Sequence, residues 1–137
     1  MHRLSLVVTG AIALGACSTA VSEPQTRSAR AETQLQQLLA GKVAGPPVSC
    51  LPNHRGNEMV VIDDNTLLFR QSGSLVYRAE LEGSCSRLGS GFYALKTNRF
   101  GGGGLCRGEI AEVVDVQNGF SVGSCAFGDF VPYRSGR

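Results

Sequence analysis

The sequence lacks a charge excess, a long apolar run and a regular glycine repeat. Its 137 residues carry a formal net charge of +2, which provides no electrostatic footprint for nucleic acid. The apolar run over residues 4–16 is shorter than the ~20 residues that a membrane-spanning helix needs. Eighteen glycines without a three-residue period exclude a collagen-like chain, and 42% hydrophobic residues exclude wholesale disorder. The length allows one domain, and the five cysteines are an odd number that needs an explanation.

Residues 1–16 are typical of a signal peptide, with a short basic start before the apolar run. The run ends in Leu14-Gly15-Ala16-Cys17, which resembles the lipobox of bacterial lipoproteins. The resemblance implies cleavage before Cys17 and acylation of its thiol, and two or three acyl chains make membrane release negligible. Because Ser18 follows, the sorting rules of such lipoproteins imply the outer membrane, facing the periplasm. The alternative is cleavage after Ala20, which would leave a soluble secreted protein.

Three segments are expected after the signal peptide. Residues 17–31 are polar and predict a lipidated flexible tether, residues 32–47 hold a short helix and a linker, and residues 48–137 form a small β domain. The helix is predicted over about residues 29–40, since Leu35, Leu38 and Leu39 recur at helical spacing and Gly41 follows as a stop. A helix of this length is marginal alone, so we expect it to dock on its own domain.

From Val48 onward the hydrophobic period is that of β-strands. Apolar runs flank Asp63-Asp64-Asn65, and Leu75, Tyr77, Ala79 and Leu81 alternate with polar positions, which predicts one buried face. Asn118-Gly119 between two apolar runs predicts a hairpin with a type I′ turn, and residues 127–133 predict an edge strand that ends at Pro132. We therefore expect a small antiparallel barrel or sandwich of five to seven short strands with one N-terminal helix.

Four cysteines remain in the β domain, and we expect two stabilising disulfides in an oxidising compartment. A two-residue turn would place Cys125 opposite Glu112, too far from Cys106 for a bond. Two pairings stay open: Cys50–Cys125 with Cys85–Cys106, or Cys50–Cys106 with Cys85–Cys125. We favour the first, because the glycines at 101–104 could fold Cys106 back toward Cys85.

Several segments together resemble an uncharacterised family of small exported proteins of alphaproteobacteria. They are the cysteine segment at 47–52, VVIDDNTLLFR at 60–70, Leu105-Cys106-Arg107-Gly108 and GSCAFGDFVPY at 123–133. Ala79 and Glu109 stand where relatives carry Asn and Asp. The resemblance implies export and a shared fold and supplies no activity.

No constellation of residues predicts catalysis, a metal site or a cofactor. His54 would be the only histidine for a catalytic triad after removal of the signal, and a loop histidine beside Arg55 is more typical of a solvated side chain. The cysteines lack paired C-x-x-C spacing, Asp63-Asp64-Asn65 lacks the pattern of a calcium loop, and the glycines at 101–104 lack the following Lys of a phosphate loop.

The remaining hypothesis is that the β domain binds a partner. Arg70, Tyr77, Arg78 and Arg107 could form a binding face for an envelope protein or a cell-wall component, since planar donors and aromatic rings are enriched in such surfaces. The sequence thus predicts a lipid-anchored periplasmic module that binds its partner or supports the envelope without catalysis. The alternative is an inhibitor of a cell-wall hydrolase such as lysozyme, by analogy with small disulfide-bonded β lipoproteins that have this activity.

Overall fold

A computed structural model describes residues 26–52, 57–97 and 104–136. The signal peptide, Cys17, most of the tether, His54 and the glycines at 101–103 lie outside the described residues. Within them, a helix is followed by nine strands. These are α1 (Ala29–Leu39), β1 (Lys42–Ala44), β2 (Cys50–Leu51), β3 (Glu58–Val61), β4 (Thr66–Ser72), β5 (Leu75–Ser84), β6 (Tyr93–Thr97), β7 (Leu105–Cys106), β8 (Ile110–Asp115) and β9 (Ser121–Ser135), and a short 3-10 turn (Leu88–Ser90) lies between β5 and β6.

The strands form a curled antiparallel half-barrel, which confirms the predicted mostly β fold. Neighbouring strands follow the order β3-β4-β5-β9-β8-β6, β1 pairs with the C-terminal half of β9, and β2 and β7 form a separate pair. Strand β1 begins inside the segment that we predicted as linker, so residues 42–44 belong to the sheet. None of the described helices is long and apolar enough to cross a membrane.

Strand β9 is the centre of the sheet, so the predicted edge strand at its end is wrong. Its fifteen residues join two segments that we predicted as separate strands. Pro132 is tolerated there because the backbone N–H and C=O of one strand residue point the same way. The Pro132 carbonyl accepts from the Gly45 amide at 2.7 Å, just beyond the end of β1, so the missing N–H breaks no bond of the β1–β9 ladder.

The two faces of the sheet are packed differently. The inner face holds the main core, in which the rings of Phe69, Phe127 and Phe130 lie 5.9 to 6.4 Å apart. The outer face at β3, β4 and β5 is covered by α1, whose Ala31 and Leu35 pack in one cluster with sheet residues that include Leu68 and Val76. The predicted docking of the helix on its own domain is confirmed.

The disulfides are Cys50–Cys106 and Cys85–Cys125, so the pairing that we favoured is wrong and the alternative is correct. The physical reason is strand adjacency. Cys50 and Cys106 are direct partners across β2 and β7, and β5 pairs with β9 at Gly83 and Cys125, two residues before Cys85. Cys106 is therefore held beside Cys50 and does not fold back toward Cys85.

The hairpin at Asn118-Gly119 is confirmed, but its turn differs from the type I′ prediction. Gly119 has φ of +73°, whereas Arg87 is the only non-glycine residue with positive φ in the described ranges, so Asn118 does not have it. The loop is longer than two residues, since the Gly119 amide donates to the Asp115 carbonyl. A bulge follows, and Cys125 consequently lies opposite Ala111 rather than Glu112.

Candidate functional site

An open cleft of about 550 Å³ lies where the start of α1 meets the β3–β4 turn. Its volume falls within the range of small-molecule binding sites. Helix α1 begins there because Ser28 caps it, accepting a hydrogen bond from the Ala31 amide at 3.2 Å, and Glu32 occupies the first turn. The opposite wall is formed by Asp63-Asp64-Asn65, by Thr66 at the start of β4 and by Glu80 on β5. The cleft therefore joins three parts of the chain that are distant in sequence.

Arg27 connects the helix start to the sheet. Its guanidinium donates to Asp63 Oδ2 at 2.5 Å, to Thr66 Oγ1 at 2.6 Å and to Glu32 Oε2 at 3.2 Å. Burial lowers the pKa of Arg27, but the hydrogen bonds to Asp63 and Glu32 raise it more, so the side chain stays charged. Three partners fix the orientation of this cation.

Thr66 links Arg27 to the next strand, β5, through hydrogen bonds of its hydroxyl. Its side chain is fully buried, and its hydroxyl accepts from Arg27 and donates to Glu80 Oε2 at 3.0 Å. The other oxygen of Glu80 accepts from Arg78 Nε at 2.6 Å. Burial lowers the pKa of Arg78, and hydrogen bonds to Glu80 and Tyr133 raise it above its ordinary value. The result is an alternating row of positive and negative groups from α1 to β5.

Asp63 is a carboxylate of the cleft that accepts hydrogen bonds from a side chain and from the backbone. Burial raises the pKa of Asp63, but hydrogen bonds from the Arg27 side chain and from the Asn65 amide, at 2.8 Å, outweigh it. The pKa therefore lies below its ordinary value, and Asp63 is an anion at neutral pH.

Asp64 holds the 3-10 turn at residues 88–90 against one wall of the cleft. Its carboxylate accepts from the backbone amides of Arg87 at 3.1 Å and Gly89 at 2.7 Å. The backbones approach so closely that a Cβ on Gly89 would lie 3.1 Å from the Cα of Asp63. Glycine at position 89 allows the 3-10 turn to pack closely against Asp63 and to line one side of the cleft.

The four residues of the predicted binding face do not form one surface. Arg70 and Arg78 lie on the side of the sheet that carries α1, and Arg70 pairs with Glu58 at 3.2 Å. Tyr77 is 4% exposed and lies in the core on the opposite side, because adjacent residues of a strand point to opposite faces. Arg107 lies after β7 and pairs with Asp129 at 3.3 Å.

Arg27 belongs to the segment predicted as a tether, and its contacts with the sheet were not predicted. Ser28 and Glu32 indicate where a helix can begin. Nothing in their spacing indicates that the residue before the cap reaches Asp63, 36 positions later.

Chemically, the cleft offers fixed charges and oxygen acceptors in an open, polar site. Asp63, Asp64 and Glu80 each accept hydrogen bonds from the protein itself. Within the described ranges, no three His, Cys, Asp or Glu side chains are grouped so that they could hold a metal ion. Comparisons with protein-family models, with curated proteins and with solved structures find no match to this chain.

Proposed function

We propose that this chain is an exported, lipid-anchored module on the periplasmic side of the outer membrane, which binds an envelope protein or a cell-wall component without catalysing a reaction. The observation that carries the binding role is the polar cleft around Arg27. Its charged groups are already oriented by one another, and a preorganised polar surface loses little conformational entropy on binding.

The division of the cysteines supports the proposed compartment. Four of the five form two disulfides, which persist in oxidising compartments such as the periplasm. Cys17 is the fifth, and it stands at the end of the apolar run that resembles a lipoprotein signal. Acylation of Cys17 would account for the odd number.

Site-specific photo-crosslinking in intact envelopes tests the binding role. A photo-reactive amino acid at Thr26, an exposed residue of the cleft wall, should capture a specific partner that mass spectrometry can identify. The matched control carries the same group at Val43, which is 69% exposed on β1. Recovery of the same abundant proteins from both positions would contradict a binding role for the cleft.

Inhibition of a cell-wall hydrolase remains the alternative, and the small disulfide-bonded β-sheet is the observation that favours it. The test is a lysis assay with lysozyme and an excess of the protein. A lysis rate that falls in proportion to added protein would favour the inhibitor, and an unchanged rate would remove it.

A further inference from the structure

The Cys50–Cys106 disulfide joins the two strands of a small flap that covers part of the core. We define the flap as β2 (Cys50–Leu51) and β7 (Leu105–Cys106), which pair with each other in a sheet of their own. Leu51 and Leu105 are buried in the main core. Because adjacent residues of a strand point to opposite faces, the two cysteines lie on the outer face of the flap, away from that core.

The two disulfides of the domain differ in their exposure to solvent. Cys50 is exposed and Cys106 is half-buried, whereas Cys85 and Cys125 are 1% and 4% exposed and belong to the core. Thiol–disulfide exchange begins when a thiolate attacks one sulfur of the bond, so its rate depends on access to that sulfur. Of the two bonds, Cys50–Cys106 is the one that a thiol can reach while the domain is folded.

Few hydrogen bonds hold the two strands of the flap together. The Arg107 amide donates to the Ser49 carbonyl at 2.7 Å. Bonded and non-bonded pairs alternate along antiparallel strands, so Cys50 and Cys106, the next pair, exchange no backbone hydrogen bond with each other. Each strand has only two residues, and an isolated pair of strands is marginally stable. The disulfide is therefore the main connection between β2 and β7.

Each strand of the flap is also tied to β9, just outside the paired residues. Val48 and Phe130 exchange backbone hydrogen bonds of 2.8 and 2.9 Å on the side of β2, and the Gly108 amide donates to the Phe127 carbonyl at 2.8 Å on the side of β7. These bonds do not depend on the disulfide. Breaking the disulfide would therefore let β2 and β7 separate while each stays attached to the main sheet.

We propose that Cys50–Cys106 is a site of thiol–disulfide exchange with a dithiol oxidoreductase, and that its reduction opens the flap. The site goes beyond the binding role of the cleft and does not require the lipid anchor. A dithiol fits as the reductant because its second thiol can release the first one from the protein. Opening of the flap would expose Leu51 and Leu105, an apolar surface that the oxidised domain keeps out of water.

The exchange has two steps. A thiolate of the dithiol attacks Sγ of the exposed Cys50, the Sγ–Sγ bond breaks, and Cys106 leaves as a thiolate that takes up a proton. The second thiol of the reductant then loses its proton and attacks the reductant's own sulfur in the mixed disulfide, which releases Cys50 as a thiolate that is protonated in turn. The dithiol is oxidised to a disulfide, and the protein gains two electrons and two protons.

The order in which the two disulfides are reduced tests the site. Full-length protein carrying Cys17→Ser has no other cysteine, so it can be treated with dithiothreitol as the dithiol, quenched in acid, alkylated and mapped by mass spectrometry. In the folded protein, we expect Cys50 and Cys106 to be alkylated at least about tenfold faster than Cys85 and Cys125, because of their access to the reductant. In urea the two pairs should react at similar rates, since unfolding removes the difference in access.

Glutathione, a single thiol, tests which sulfur is attacked. With immediate trapping of free thiols by N-ethylmaleimide, we expect at least about fivefold more glutathione on Cys50 than on Cys106. Equal amounts on the two cysteines would overturn the assignment of Cys50 as the attacked residue. Reduction of Cys85–Cys125 first, or of both disulfides together in the folded protein, would overturn the site itself.

Amide hydrogen exchange tests the opening of the flap. After selective reduction of Cys50–Cys106, exchange at residues 49–51 and 105–107 should quicken at least about tenfold, because these amides leave the closed flap. Exchange in the paired segments of β4 and β5 should stay unchanged and serves as the control. Unchanged exchange in the flap would overturn the proposed opening, and faster exchange throughout β4 and β5 would show unfolding of the domain instead.

Discussion

The guanidinium of Arg27 donates to the hydroxyl of Thr66 at 2.6 Å, although 39 positions separate the two residues. Thr66 is fully buried at the start of β4, whereas Arg27 directly precedes the cap of α1. The contact ties the first described residues to the sheet and shapes the cleft. We therefore expect the stability of the domain and the position of α1 to depend on Arg27.

Replacement of Arg27 by alanine should lower the free energy of unfolding by about 1 to 2 kcal/mol, because it removes hydrogen bonds of a charged group and leaves Asp63 without its cation. Thermal or urea unfolding measures the change. Arg30→Ala is the matched control, since Arg30 is exposed on α1, and it should shift stability by less than about 0.5 kcal/mol. Equal effects of the two substitutions would contradict the role of Arg27.

The contacts of Asp63 should make the domain less stable in acid. A pKa lowered by folding stabilises the protein above the unfolded value of about 4, and this stability is lost as the pH falls through the folded pKa. Melting temperatures measured from pH 6 to pH 2 should therefore fall less steeply for Asp63→Asn than for the original chain.

Some acid dependence should remain in Asp63→Asn, because hydrogen bonds from Gln36 and Arg27 also lower the pKa of Glu32. The control is Asp129→Asn, since the partner of Asp129, Arg107, is mostly exposed. An acid profile of Asp63→Asn identical to that of the original chain would show that Asp63 contributes no such stability.

Each disulfide should stabilise the domain strongly. The bonds close segments of 56 and 40 residues, for which the loss of chain entropy in the unfolded state corresponds to about 4 kcal/mol each. We expect Cys85→Ala/Cys125→Ala to be the more damaging pair, because these cysteines are buried and their removal also leaves a cavity. Unfolding of the two double variants, with peptide mapping of the remaining bond, tests both the pairing and the order.

Acylation of Cys17 predicts that Cys17→Ser abolishes labelling of the protein by palmitate in cells. The physical reason is that the serine hydroxyl is a much weaker nucleophile than a thiolate. Labelling measured by fluorography should persist in Ser18→Ala, which changes the neighbouring residue and leaves the thiol. Labelling of Cys17→Ser would exclude this cysteine as the modified residue.

Local patterns in the sequence predicted the helix and most of the strands. The predictions failed where the structure depends on which distant segments pair with each other. The spacing of Leu35, Leu38 and Leu39 predicted α1, and the alternation from Leu75 to Leu81 predicted the buried face of β5. The same alternation placed Tyr77 inside, which conflicted with assigning it to a binding face. The disulfide pairing and the contact of Arg27 depend on which strands are neighbours, and no local spacing encodes that.

Gly128 has a role that the sequence pattern did not indicate. It lies inside the strand predicted at residues 127–133, and β9 is continuous there. Glycine is needed because β5 and β9 change register at this point, and a Cβ on Gly128 would lie 2.8 Å from the Glu80 carbonyl oxygen. The requirement for glycine at position 128 therefore comes from the close approach of β5, which the sequence does not show.

Gly128→Ala should accordingly destabilise the domain by about 1 to 3 kcal/mol, since a backbone atom must shift to admit the methyl group. The shift should also disturb the Glu80 carboxylate and its bond from Thr66, so amide hydrogen exchange near the start of β4 should quicken. Gly73→Ala is the matched control, because no atom lies within 4 Å of its Cβ position, and it should stay within about 0.5 kcal/mol of the original chain. If the two alanine variants unfold at the same urea concentration, the close approach of β9 to Glu80 does not limit the residue at position 128.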